Sequence, residues 1–187
     1  MAGAAFVLTG GSSRRMGRDK ALLAYRGGTL VEWVAGEAQK AAGRVALVGG
    51  GERYGHLGLR CVEERFAGCG PLSGIEAALS AGEAEWNLVL ACDMPGLDAG
   101  LLRGLLEAAD GCDADVVAAQ DGVGGAAEPL CAVYHMRILD EVRVELKAGR
   151  YAVRGLLSRL RVSLYPVHSK ALLKNVNTPE EWSQCLT

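Results

Sequence analysis

"NLVLACDMPGL", residues 87–97, decides the fold. Leu88, Val89, Leu90 and Ala91 follow one another without a polar break, and "DVVAA" at 115–119 repeats the pattern. A strand that is apolar at every position is covered on both faces, as in parallel sheets layered between helices. Pro95 stops the run, and Cys92-Asp93 stand at its end.

Outward from this stretch, strand-like runs fall at 4–8, 44–48, 59–62, 86–91, 114–119, 129–134 and 161–167. Helical patterns fill 29–41, 72–81, 98–109, 137–147, 151–159 and 178–185. Thr29 with Glu32, and Thr178 with Glu181, fit capping boxes, and Pro179 takes the favoured first helical position. Alternating strands and helices predict a mainly parallel α/β sheet. "EPLCAVYH" (128–135) breaks the rhythm, because only a glycine-rich loop separates it from the preceding strand. One antiparallel member is expected there. That loop, "GVGGAA" at 122–127, matches G-x-G-x-x-A but leads into a strand, so it reads as a hairpin loop rather than a dinucleotide fingerprint.

Ligands of such sheets bind beyond the carboxyl ends of the strands. Three features converge there: the loop after Gly10, Glu63-Glu64, and Cys92-Asp93. The first belongs to "FVLTGGSSRRMGRDKALL", residues 6–23, where Arg14, Arg15, Arg18 and Lys20 surround one anion, Asp19. Paired glycines let backbone N–H groups approach a ligand, and cations beside them suit phosphate. A polyphosphate cradle is favoured over a solvated surface loop. The spacing is not a Walker A motif, since Arg18 stands where lysine is needed. Asp93, a lone carboxylate at a strand end, can hold Mg²⁺, which takes one or two carboxylates plus substrate phosphates. Helix capping is its plain alternative, but Asp98 already fits that role.

In "CGPLSGIEAAL" (69–79), Gly70 and Gly74 leave room for a ligand or for close packing against the sheet. In "NVNTPEEW" (175–182), Asn175 and Asn177 read equally as paired hydrogen-bonders on one side of an extended segment or as turn residues. His56, His135 and His168 are scattered, without ligand spacing. Arg, Lys and Asp without a His or Ser nucleophile fit phosphoryl or nucleotidyl transfer, in which positioning and charge stabilisation dominate.

The 187 residues, half of them apolar, fit one domain spanning 1–187. A formal net charge of -2 creates no global attraction for nucleic acid or anionic membrane. No segment approaches the roughly 18 apolar residues of a membrane span, and the N-terminus lacks a signal-peptide pattern. Six cysteines without a CxxC pair predict reduced, buried thiols and a cytoplasmic location.

Taken together, "LTGGSSRRMGRDKALL", "GPLSGI", "LACDMP", "EPLCAVY" and "NVNTPEE" resemble, in order and over nearly the whole chain, the molybdenum cofactor guanylyltransferase (MobA) family. The resemblance implies a Rossmann-like three-layer nucleotidyltransferase domain. It implies transfer of GMP from GTP to a molybdopterin-type cofactor, with Mg²⁺ and release of pyrophosphate. By resemblance, Leu8, Thr9, Gly10 and Gly11 belong to the nucleotide site, Lys20 meets the phosphates, and Arg15 lies in the phosphate loop. Asp93 would carry the metal, Glu64 would meet the nucleotide, and Gly70, Gly74, Asn175 and Asn177 would line the pterin side. Transient contacts with cofactor-delivery proteins and molybdoenzymes are implied as well. Gly10-Gly11 where cytidylyltransferases carry Ala-Gly, and Asn175-Val176-Asn177 where other relatives carry D-x-D, select guanine. Thr9, Glu64 and Ala67 depart from the family's usual Ala, Asp and Pro. A cytidylyltransferase, a sugar-phosphate nucleotidyltransferase and a non-catalytic nucleotide-binding regulator are the rival readings.

Overall fold

The computed structural model describes residues 3–10, 19–122 and 124–185. In chain order its elements are β1 (Ala4–Leu8), β2 (Ala24–Tyr25), β3 (Gly28–Thr29), α1 (Leu30–Ala42), β4 (Val45–Val48), α2 (Gly51–Tyr54), β5 (Cys61–Val62) and α3 (Pro71–Ser80). There follow β6 (Trp86–Ala91), α4 (Ala99–Ala109), β7 (Val116–Asp121), β8 (Ala127–His135), α5 (Leu139–Lys147), α6 (Val153–Leu157), β9 (Val162–Val167) and α7 (Pro179–Cys185). Seven strands form one sheet in the order β5-β4-β1-β6-β8-β7-β9, and β2 pairs with β3 in a separate hairpin.

The apolar strands are covered on both sides, as their composition predicts. Ala5 and Val7 pack toward α1 and α4, while Ala4, Phe6 and Leu8 pack toward α3 and α5. This alternation makes every residue of β1 buried. The expected antiparallel member is β8, which runs antiparallel to both β6 and β7. Its register on β7 shifts between Ala118 and Ala119. The irregularity accommodates Pro129, which cannot donate to a ladder inside a sheet.

Both predicted capping boxes form. Thr29 N donates to Glu32 Oε2 at 2.8 Å and Glu32 N to Thr29 Oγ1 at 3.4 Å. Thr178 N donates to Glu181 Oε2, and Glu181 N to Thr178 Oγ1, each at 3.2 Å. A cap contributes about 1 kcal/mol. Each fully buried Leu or Val contributes about 1.5–3 kcal/mol, so Leu30, Val31 and Val34, all fully buried, hold α1 more firmly than its cap does. The cysteines correct one expectation. All six are free, but only Cys131 is buried and the other five are partly exposed.

Candidate active site at the sheet switch point

The chain leaves β1 through α1 toward β4 on one side and returns through α3 to β6 on the other. β1 and β6 lie side by side, with Leu8 opposite Ala91. Their carboxyl ends therefore part at a switch point, the favoured ligand crevice of an open α/β sheet. A cavity of about 650 Å³ opens there, and Leu8, Thr9, Gly10, Asp19, Lys20, Glu64, Gly70, Cys92 and Asp93 are among its lining residues. Gly11 and Arg15, assigned above to the nucleotide site and the phosphate loop, lie outside the described residues.

Lys20 is the hub of the site. Its ammonium donates to Asp93 Oδ2 at 3.0 Å, to Asn177 Oδ1 at 3.0 Å and to Val176 O at 3.2 Å. Val176 N in turn donates to Asp93 O at 2.9 Å. Backbone and side chain thus fasten the segment before α7 onto the end of β6. Val176 is fully buried and pins that segment in the core. The two asparagines occupy different environments: Asn177 is exposed beside Lys20, whereas the Asn175 amide oxygen is buried and finds no hydrogen-bond partner among the described residues. The residues around them form a loop, not a strand.

Among the described residues, no three of His, Cys, Asp and Glu come together as a metal-binding group. A divalent ion at Asp93 would take one carboxylate from the protein and complete its shell with water and phosphate oxygens. That donor set fits Mg²⁺, not the nitrogen- and sulfur-rich shell of zinc.

Thr9, unusual for the resemblance, has a local explanation. Its hydroxyl lies 2.9 Å from both Val48 O and Gly49 O, so it faces the end of β4. Glu64 reaches the cavity wall from beyond β5. Its Oε2 lies 3.5 Å from where a Cβ on Gly10 would sit, and 3.3 Å from one on Gly49. The two glycines make the space that the longer acid needs. Burial pushes the Glu64 carboxyl above its usual range, and the charge of Glu63 adds to the rise. Part of Cys92 is exposed, but desolvation of its sulfur, reinforced by the charge of Asp93, pushes the thiol up to about 12. A thiol so protonated is no nucleophile at neutral pH.

Gly70 lines the cavity with φ +69°, a conformation glycine adopts freely. Gly74 does not line it. A Cβ there would stand 2.8 Å from Leu8 Cδ2, so this glycine serves close packing of α3 on β1.

Three residues of the site were not assigned from the sequence. Asp19 accepts from Ala21 N at 3.1 Å, from Arg53 at 3.1 Å and from the Tyr54 hydroxyl at 2.8 Å. Its place directly before Lys20, within the motif that carries the resemblance, was the available signal. Nothing in the sequence links Arg53 or Tyr54, more than thirty residues on, to it.

Residues 5–164 match the family model of the MobA-like NTP transferase domain. A probable molybdenum cofactor guanylyltransferase of Pelotomaculum thermopropionicum is 36% identical over 183 residues, covering 94% of this chain and 87% of the relative. Another with the same description, from Nostoc sp., is 34% identical over 181 residues, covering 95% and 87%. The crystal structure of molybdopterin-guanine dinucleotide biosynthesis protein A from Archaeoglobus fulgidus superposes with a TM-score of 0.83 at 26% identity, covering 97% of this chain and 96% of that one.

Proposed function

The chain belongs to the MobA-like NTP transferase family, and from that premise we propose that it transfers GMP from GTP to a molybdenum-molybdopterin acceptor, forming the guanine dinucleotide cofactor and pyrophosphate. The observation that carries this reading is the cluster of Lys20, Asp93 and Asn177, joined at 3.0 Å at the switch point of the sheet.

The acceptor's terminal phosphate attacks the α-phosphorus of GTP in line. A new P–O bond forms as the bond to the β-phosphate breaks and pyrophosphate leaves. No protein nucleophile is required. Lys20 places positive charge where charge grows on the departing oxygens, and such preorganised charge is usually the largest catalytic contribution. Asp93 orients Lys20 and is the residue that would hold Mg²⁺, which when bound would supply further charge neutralisation. Glu64, in the wall of the cavity, accepts hydrogen bonds from guanine N–H groups. Cytosine presents no such pair of donors. The same reading includes a cytoplasmic setting and transient contacts with proteins that deliver or receive the cofactor. Among the described residues, no helix is long and apolar enough to cross a membrane.

Pyrophosphate release tests the proposal. Release should require GTP and a molybdopterin acceptor together. GTP binding without release would support the regulator reading instead.

A further inference from the structure

Lys20 stands on a single turn of 3₁₀-helix, Lys20–Leu22. Such a turn is held by weak hydrogen bonds, here Leu22 N to Asp19 O at 3.3 Å and Leu23 N to Lys20 O at 3.2 Å. A lysine also has about 2 kcal/mol of rotamer entropy to lose when its ammonium is fixed. Something firmer must hold the base of this side chain. Asp19 supplies it. Its Oδ1 caps the turn at Ala21 N, and its Oδ2 accepts from Tyr54 and Arg53.

The two partners are not equal. The Arg53 side chain is 59% exposed, so its pair with Asp19 is screened and contributes little. Tyr54 is fully buried, and its hydroxyl donates to the partly exposed Asp19 carboxylate at 2.8 Å, a charge-assisted bond. Gly50 makes room for it: a Cβ there would stand 2.7 Å from the Tyr54 ring, and its φ is +63°. An unbroken chain of contacts therefore runs from Tyr54 on α2 to Asp19, through the turn to Lys20, and on to Asp93 at the end of β6. It crosses the cleft in which the reaction is placed.

We propose that Asp19 is a positioning residue, which with Tyr54 holds Lys20 in register with the departing pyrophosphate. The proposal rests on the role given to Lys20 above. Asp19 acts through Lys20 alone, so its contribution disappears when Lys20 is absent.

A double-mutant cycle reads this directly. Asp19→Asn and Tyr54→Phe are each made in the native protein and in Lys20→Gln, with thermal midpoints recorded for every variant. Lys20→Gln should lower kcat on the order of 10²-fold. In the native background, Asp19→Asn should lower kcat roughly tenfold, as expected for a small misplacement of a catalytic group, with the KM for GTP changed less than about twofold. Tyr54→Phe should follow in the same direction. In the Lys20→Gln background both changes should alter kcat less than about twofold. Equal losses in the two backgrounds would overturn the proposal and make Asp19 a structural residue. A raised magnesium requirement in Asp19→Asn would overturn it by making Asp19 a metal ligand. Undiminished turnover in Lys20→Gln would remove the role of Lys20, and the proposal with it.

Discussion

Asp93 and Asp98 stand five residues apart, yet the structure gives them different work. Asp98 caps α4 by accepting from Leu101 N at 2.8 Å, a task asparagine performs about as well. Asp93 accepts from Lys20 and faces the cavity. Asp93→Asn should therefore lower turnover on the order of 10²-fold and raise the magnesium concentration required. Asp98→Asn should leave both unchanged. Steady-state rates across a magnesium titration check this, and equal activity of the two variants would move the metal site elsewhere. In the proposed reaction Glu64, which lines the same cavity, recognises the base. Losing a charged hydrogen-bond acceptor costs about 1.5–3 kcal/mol, so Glu64→Gln should weaken GTP binding roughly 10- to 100-fold and leave CTP binding unchanged. Because burial raises the Glu64 pKa, its carboxylate protonates at a higher pH than an ordinary glutamate. Native GTP affinity should fall as pH drops through that raised value, and Glu64→Gln should lack this fall. Calorimetric titration across pH measures both effects.

Between elements, the strap that ends in Asn177 is set by a glycine. A Cβ on Gly96, in the turn between β6 and α4, would stand 2.2 Å from Ala171 O. The obstacle is backbone, so Gly96→Ala must push the strap off the turn and draw Asn177 away from Lys20. Overpacking of this kind costs about 1–3 kcal/mol, which for a chain of this size lowers the thermal midpoint by roughly 2–12 °C. Turnover should fall in the folded variant; a variant with native midpoint and native turnover would contradict this placement of the strap. At the opposite end of the sheet, Asp115 joins the start of β7 to Arg161 before β9 and to Arg137 after β8. Hydrogen bonds from Arg161, followed by those from Arg137, hold its carboxyl down at about 2. A folded pKa below the unfolded one stabilises at neutral pH, and that stabilisation is lost as pH falls from about 4 through about 2. Asp115→Asn should be less stable than the native protein at neutral pH, and the difference should shrink across this window. Thermal melts at stepped pH measure it.

At the scale of the molecule, the sheet was legible because its strands are buried on both faces and so announce themselves as unbroken apolar runs. β1 and β6 agree with the reading to the residue, and the antiparallel β8 follows from a glycine-rich loop with no helix behind it. The β2–β3 hairpin escaped, since two-residue strands are too short to show a period. α2 escaped because its four residues, Gly51–Tyr54, are too few to show a helical period. In the site, Asp93 and Glu64 were legible as acids at strand ends. The contact of Lys20 with Asn177, 157 residues away, was not, because only tertiary folding brings the strap to β6. The clamp of Tyr54 on Asp19 was hidden for the same reason. In the proposed reaction two substrates meet beside Asp93, and a guanylyl group passes between them. The most direct test uses nucleotides labelled at the α-phosphate, GTP and CTP in parallel, with purified protein, magnesium and molybdopterin acceptor, followed by separation of the pterin product. Label should enter the pterin product from GTP, with one pyrophosphate released per label transferred, and not from CTP. Label entering equally from CTP, or remaining wholly in free nucleotide while GTP is bound, would contradict guanylyl transfer.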